Sequence, residues 1–181
     1  GLDCTAENNA GEGCKIYNID RPDVIAVRNE LIPPAENVTN IGADLNDTVW
    51  FDAIDDSRGV VFFAAGVFYY FLSSDIQKLF TAMAERFKGG RLCFDAANKK
   101  AVKLMLKTWV KAAGITDIDR YFYINNLDTD LKAWLPGTEI SAKGYMLGYH
   151  DLKTPSVSGL FRFLAKVGDG YMQMRIVRIN F

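Results

Sequence analysis

The chain holds 181 residues, 49% of them hydrophobic, which suits a core of ordinary size in a single domain. Its 21 basic and 22 acidic residues leave a net charge of -1, so there is no broad positive field to gather nucleic acid. The longest apolar run, Val60 to Leu72, is interrupted by Gly66 and falls short of the about 20 residues that cross a bilayer, so no membrane partner is expected.

No basic stretch followed by an apolar region opens the chain, so a retained secretion signal is not expected. Cys4, Cys14 and Cys93 are odd in number and lack Cys-x-x-Cys spacing, arguing against a disulfide framework or a zinc site and for a reducing cytoplasm. Asp55-Asp56 and Asp117 with Asp119 have no accompanying histidine and no metal-loop spacing, so no metal is assigned. The opening Gly1-Leu2-Asp3 reads as the interior of a loop, and a strand upstream of Gly1 is expected.

Lys15 to Asp20 is a short apolar run that ends on an acid before Arg21-Pro22, a buried strand delivering Asp20 at its carboxyl end. Pro22 suits a first helical turn, and Val24, Ile25, Arg28, Leu31 and Ile32 follow at helical spacing until Pro33-Pro34. Val38 to Asp44 predicts a second strand. Val60 to Ala65 predicts a third, and its Val-Val-Phe-Phe run suits a parallel strand covered on both faces.

Ser74-Asp75-Ile76-Gln77 has capping-box form, and Ile76, Leu79, Phe80, Met83 and Phe87 mark one face of a helix ended by Gly89-Gly90. Arg91 to Asp95 is the next strand. Val102, Met105, Leu106, Trp109, Val110 and Ala113 form a second stripe closed by Gly114, while lysines 99, 100, 103, 107 and 111 share the opposite, solvated face. In the tail, Tyr121 to Asn125, Lys143 to Tyr149 and Tyr171 to Phe181 are strand-like. The alternation implies an α/β fold, a doubly wound and mostly parallel sheet with an antiparallel end.

Ligands in such sheets collect beyond the carboxyl ends of the strands, which here means Gly1 to Cys4, Asp20, Asp44-Leu45 and Ala64-Ala65-Gly66. Asp20 follows Gly1 by 19 positions, close to the about 20-residue interval of a ribose-binding acid. An acid that merely precedes the next helix satisfies the same spacing.

Gly-Leu-Asp-Cys at 1–4, Tyr17-Asn18-Ile19-Asp20, Ala43-Asp44-Leu45-Asn46-Asp47 with Trp50, and Ala65-Gly66-Val67-Phe68-Tyr69-Tyr70-Phe71 occur in order. On these the chain resembles the leucine carboxyl methyltransferase family, in particular its bacterial branch related to tetracenomycin-type polyketide O-methyltransferases. The resemblance implies S-adenosylmethionine as cofactor and a small-molecule methyl acceptor, a carboxylate among the candidates. It places Gly1 and Asp3 at the methionine end of the cofactor, Asp20 on the ribose hydroxyls, Asp44 on the adenine amino group with the Leu45 backbone beside the ring, and Ala65-Gly66 against the cofactor. Family members often carry Thr at the position of Cys4 and Glu at that of Ala65. The family's first strand would precede Gly1, so a chain starting there is expected to bind the cofactor poorly.

A carboxylate nucleophile needs no base, whereas a hydroxyl acceptor needs one, and His150 is the candidate by residue type, although a surface or satisfied core histidine is the commoner occupant of a turn such as Gly148-Tyr149-His150-Asp151. Tyr69, Tyr70 and Tyr145 are candidates for the acceptor pocket, against plain packing in apolar runs. Two other readings stand beside methyl transfer. An acid after the second strand also serves a nicotinamide-dependent oxidoreductase, although Gly-Leu-Asp lacks the further glycines of a dinucleotide loop. A non-catalytic relative would keep the fold without the chemistry.

Overall fold

The computed structural model describes residues 1–105 and 121–181. The expected stripe positions Leu106, Trp109, Val110 and Ala113, the closing Gly114, the lysines at 107 and 111, and Asp117 and Asp119 lie outside the described residues. The chain divides into two compact units, Gly1–Arg58 and Gly59–Phe181.

In the first unit a short helix α1 (Thr5–Asn9) precedes strand β1 (Ile16–Asp20), helix α2 (Pro22–Leu31) and strand β2 (Val38–Gly42). The two strands pair in parallel, Ile16 opposite Val38 through Asp20 opposite Gly42. Pro22 opens α2 where its missing N–H costs nothing. The buried face of α2 is narrower than the spacing predicts. Ile25 and Arg28 are buried, but Leu31 is exposed, because the helix ends there ahead of Pro33-Pro34. A 3₁₀ segment, Thr48–Ala53, buries Trp50 and Phe51 and starts on Asp47, whose carboxylate accepts from the Val49 amide at 3.0 Å.

The second unit is a four-stranded sheet in the order β3-β4-β6-β5, formed by Val61–Ala64, Arg91–Ala96, Arg175–Asn180 and Glu139–Gly144. Strands β3 and β4 run parallel, joined through helix α3 (Ser73–Arg86). Strand β6 is antiparallel to both β4 and β5, the expected antiparallel end. Helix α4 (Lys99–Met105) follows β4, and helix α5 (Gly159–Lys166) lies in the connection from β5 to β6.

One face of this sheet makes the core. Leu92, Phe94, Val177 and Ile179 alternate inward along β4 and β6, and α3 covers them with Ile76, Leu79, Phe80 and Met83. Phe68, Phe80 and Phe94 stack with centroids 5.1–5.3 Å apart, and Phe122 joins them at 6.0–6.1 Å.

Several expectations need correction. The Val60–Ala65 run is covered on one face only: Phe62 packs edge-on against Phe87, whereas Val61 and Phe63 are exposed, Phe63 to 75%. Ser74 does not cap α3, because the helix begins a residue earlier with Leu72 at the cap, which has no side-chain acceptor. Residues Tyr121 to Asn125 form no strand. Their alternation is real, with Phe122 and Ile124 fully buried, but the backbone is used by two loops, Phe122 N donating to Phe71 O and Ile124 N to Ala97 O, each at 3.0 Å.

Beyond Gly144 the chain curls instead of extending to Tyr149. The Asp169 carboxylate accepts from the Met146 amide at 3.1 Å and the Leu147 amide at 2.7 Å, which draws both amides out of any ladder. A Cβ at Gly144 would lie 2.3 Å from that carboxylate, so the close approach requires glycine. The last strand starts at Arg175, four residues later than its pattern suggests, because Val167–Tyr171 is a π-helical turn and Gln173 takes a left-handed conformation (φ 51°). No helix among the described residues is long and apolar enough to cross a membrane.

Candidate cofactor-binding site

In the first unit Asp20 ends β1 and its backbone carbonyl accepts from the Ala43 amide at 2.9 Å, which sets the ends of β1 and β2 side by side. The junction is tight: a Cβ on Gly42 would meet Pro22 Cα at 3.0 Å, so the strand end can lie against the start of α2 only with glycine there. Asp20 is about one-third exposed at 32%. Its Oδ1 accepts from the Arg21 amide at 2.8 Å, and its Oδ2 pairs with the Gly1 amino group. Burial pushes the Asp20 carboxyl pKa up, but these hydrogen bonds outweigh it and hold it below the usual carboxylate range. The group is therefore an ionised, acceptor-only carboxylate at a strand end.

Asp44 follows β2 and is exposed, with Oδ1 accepting from the Asn46 amide at 2.9 Å and Leu45 half-buried beside it. Asp3 accepts from the Thr5 hydroxyl at 2.6 Å and the Thr5 amide at 2.9 Å, bonds that lower its pKa and spend one oxygen on starting α1.

The loop carrying Gly1 and Asp3 is held by a residue that sequence patterning assigned to packing. Arg28, 2% exposed, donates to Gly1 O at 2.7 Å and Asp3 O at 2.9 Å and pairs with Glu7 at 2.5 Å. An arginine within an apolar helical stripe is the signal that could have found it, since buried guanidinium groups require fixed acceptors. Burial pushes the Glu7 carboxyl up, yet hydrogen bonds from Asn18 and Arg28 keep it below its ordinary value.

In the second unit the loop after β3 turns on Gly66 at φ +66°, with open space where a Cβ would stand, and Ala65 is exposed. Gly66 N donates to Asp95 Oδ1 at 2.6 Å, and the buried Tyr69 hydroxyl also hydrogen-bonds Asp95. Burial, then the Asp95 charge, push the Tyr69 phenol far above its ordinary range, so it remains a neutral donor. Asp95 thus organises the turn from the end of β4, a role its sequence position as a strand terminus did not reveal.

Tyr69 is buried in the Asp95 cluster, Tyr145 is exposed on the turn after β5 yet near enough for its phenol to act electrostatically on that of Tyr69, and Tyr70 is exposed at 47%. His150 is exposed and lines a different concavity with residues of the same turn and of α5. No group of histidine, cysteine or acidic side chains among the described residues is placed to hold a metal ion.

Comparison with solved structures places this architecture. The chain superposes with a TM-score of 0.58 and 14% identity on an S-adenosylmethionine-dependent methyltransferase from Mesorhizobium loti, over 92% of this chain and 80% of that one. The fold is the methyltransferase fold. A DUF574 family protein from Streptomyces avermitilis gives 0.59 at 10% identity over 92% of this chain and 64% of the other. Human N-acetylserotonin methyltransferase, in complex with SAM, gives 0.55 at 11% identity over 93% and 41%.

By sequence, 79 residues are 28% identical to the tetracenomycin polyketide synthesis O-methyltransferase TcmP of Streptomyces glaucescens. That match takes in 44% of this chain and 29% of the relative, and the chain spans less than two-thirds of the DUF574 structure and of the human enzyme. No protein-family profile matches the chain.

Proposed function

We propose that this chain is the cofactor-binding part of an S-adenosylmethionine-dependent O-methyltransferase that acts on a small molecule, related to the bacterial polyketide enzymes of the leucine carboxyl methyltransferase family. The observation that carries the reading is the methyltransferase fold together with the sequence likeness to TcmP. The residues present fit the cofactor's chemistry. Asp20 supplies an ionised acceptor suited to a ribose diol, Asp44 an exposed acceptor suited to the adenine amino group, and the backbone at Ala65-Gly66 is open to a ligand.

When bound, S-adenosylmethionine supplies an electrophilic sulfonium methyl. The chain's own contribution is binding and orientation. Asp20 fixes the ribose, Arg28 holds the Gly1–Asp3 backbone in place for the methionine end, and Asp95 fixes the turn at Gly66. A carboxylate acceptor would require no base from the chain.

Calorimetric titration with S-adenosylmethionine and with NAD tests the reading. In a version of the protein that includes the segment upstream of Gly1, S-adenosylmethionine is expected to saturate, and Asp20→Ala to weaken it about ten- to a hundredfold, because two ribose hydroxyls lose a charged acceptor. Asp44→Ala should cost less, with only one amino group to lose. Saturable NAD binding without S-adenosylmethionine binding would overturn the proposal in favour of an oxidoreductase.

A further inference from the structure

Helix α5, in the β5–β6 connection, turns its apolar side outward. Ala165 is buried and Arg162 half-buried on its inward side, while Leu160, Phe163 and Leu164, which share the other side at helical spacing, are 69%, 60% and 55% exposed. The orientation is fixed by polar contacts. Arg162 Nη2 donates to Thr154 O at 3.1 Å and to Val157 O at 2.8 Å, and Ser158 caps the helix by accepting from the Phe161 amide at 3.2 Å.

The rest of the connection has the same character. Nine of the seventeen exposed large hydrophobic residues among those described lie between Tyr145 and Met174, a concentration that scattered surface side chains do not give. Charge is segregated there too. Between Lys143 and Arg175 stand five basic residues and two acidic ones, a net charge of +3 in a chain whose total is -1. Both acids are turned to amides of the connection itself, Asp151 to that of Lys153 at 3.0 Å and Asp169 to that of Leu147 at 2.7 Å. Lys166 follows Phe163 by three positions, at the border of the apolar face, and Lys153 lines the same concavity as Lys166. Two copies of this surface set face to face would bring like charges together, so the charge favours an anionic partner over a second copy. A helix with leucine and phenylalanine outward and cations at the border suits a bilayer surface, its apolar side chains below the headgroups and its cations among the phosphates. Such a helix lies in the plane of the surface and needs no membrane-crossing length.

We propose that the β5–β6 connection docks the protein on an anionic phospholipid surface, with Leu160, Phe163 and Leu164 entering the boundary between headgroups and acyl chains and Lys153 and Lys166 meeting lipid phosphates. The surface uses none of the residues assigned to the cofactor, so it stands independently of the function proposed above.

Co-sedimentation with vesicles of phosphatidylcholine alone, and of phosphatidylcholine mixed equally with phosphatidylglycerol, tests the surface in the protein that includes the segment upstream of Gly1. Binding to the anionic vesicles is expected to be at least about tenfold tighter than to phosphatidylcholine and to weaken as salt is raised. Lys153→Gln combined with Lys166→Gln should weaken it at least about fivefold, since each cation near the lipid contributes. Leu160→Ser, Phe163→Ser and Leu164→Ser together should weaken it at least about tenfold by removing the inserted apolar surface. Thermal stability is expected to be unchanged in both variants, because all five side chains are exposed. Equal binding to the two vesicles, no sedimentation with either, or unaffected variants each overturns the proposal. So does a concentration-dependent dimer that the serine variant abolishes in place of vesicle binding, which would give the face to a second copy. S-adenosylmethionine affinity of the serine variant should equal that of the parent protein, and its loss would assign the face to the cofactor site instead.

Discussion

At the scale of single residues, Arg28 is where removing one group should be felt most in the first unit. Its side chain is 3% exposed and that of its partner Glu7 19%, and the guanidinium also serves the carbonyls of Gly1 and Asp3. Arg28→Met would leave the Glu7 charge largely buried without its cation, which costs about 3 kcal/mol. Urea unfolding of both proteins measures it, and a change within experimental error would show that Arg28 does not clamp the loop. The same pair predicts a pH dependence. Glu7 is depressed in the folded chain, so its contribution is present above its unfolded value of 4.5 and is lost as pH falls through the folded value. Glu7→Gln should therefore flatten the loss of stability below about pH 4.5 relative to the parent chain.

At the scale of elements, exposure and ring packing separate neighbouring phenylalanines of equal hydrophobicity. Phe80 on α3 is fully buried and stacks with Phe68, Phe94 and Phe122, so Phe80→Ala should cost about 3 to 5 kcal/mol. Phe63 on β3 is 75% exposed, and Phe63→Ser should stay within about 0.5 kcal/mol. Thermal or urea unfolding of the two variants distinguishes them, and comparable losses would mean that the open face of β3 is covered. The contrast also shows what the sequence can carry. The stripe from Ile76 to Met83 was legible because a helix with one buried face imposes a 3.6-residue period whatever lies beneath it. The run Val60 to Ala65 announced a strand but not its surroundings, since apolar residues on both faces state a capacity for burial and not the presence of a cover. Strand ends were harder still. The turn after Gly144 is made by Asp169, twenty-five residues later in the chain, and local pattern holds no trace of so distant a hydrogen bond. In the candidate site Asp20 and Gly66 were legible from their places after apolar runs. Arg28 was signalled only as a charge within an apolar stripe and Asp95 not at all, because their contacts lie with backbone atoms far away in sequence.

At the scale of the whole molecule, the two units are built with unequal reserves. In the first unit β1 buries one residue to below a tenth, Ile16, and pairs on one side only among the described residues, while α2 contributes Ile25 and Arg28 and the 48–54 segment Trp50, Phe51 and Ile54. In the second, β4 and β6 are interior strands, each hydrogen-bonded on both sides, and Leu92, Phe94, Val177 and Ile179 are no more than 2% exposed. Amides exchange through local openings whose cost follows buried apolar contact and backbone pairing, so protection should be graded along the chain and not uniform. The slowest amides are expected in β4 and β6, Phe94 and Val177 among them, and those of β1 and β2 are expected to exchange ahead of global unfolding. Hydrogen exchange resolved by residue checks this. The cofactor provides the second half of the test, because a ligand stabilises what it binds in proportion to its saturation. If Asp20 holds S-adenosylmethionine, adding it should slow exchange at the carboxyl ends of β1 and β2, the region with most to gain, while the β4 and β6 amides change least. Equal protection of both units in the absence of ligand would contradict the unequal cores, and slowing confined to the β5–β6 connection would place the cofactor away from Asp20.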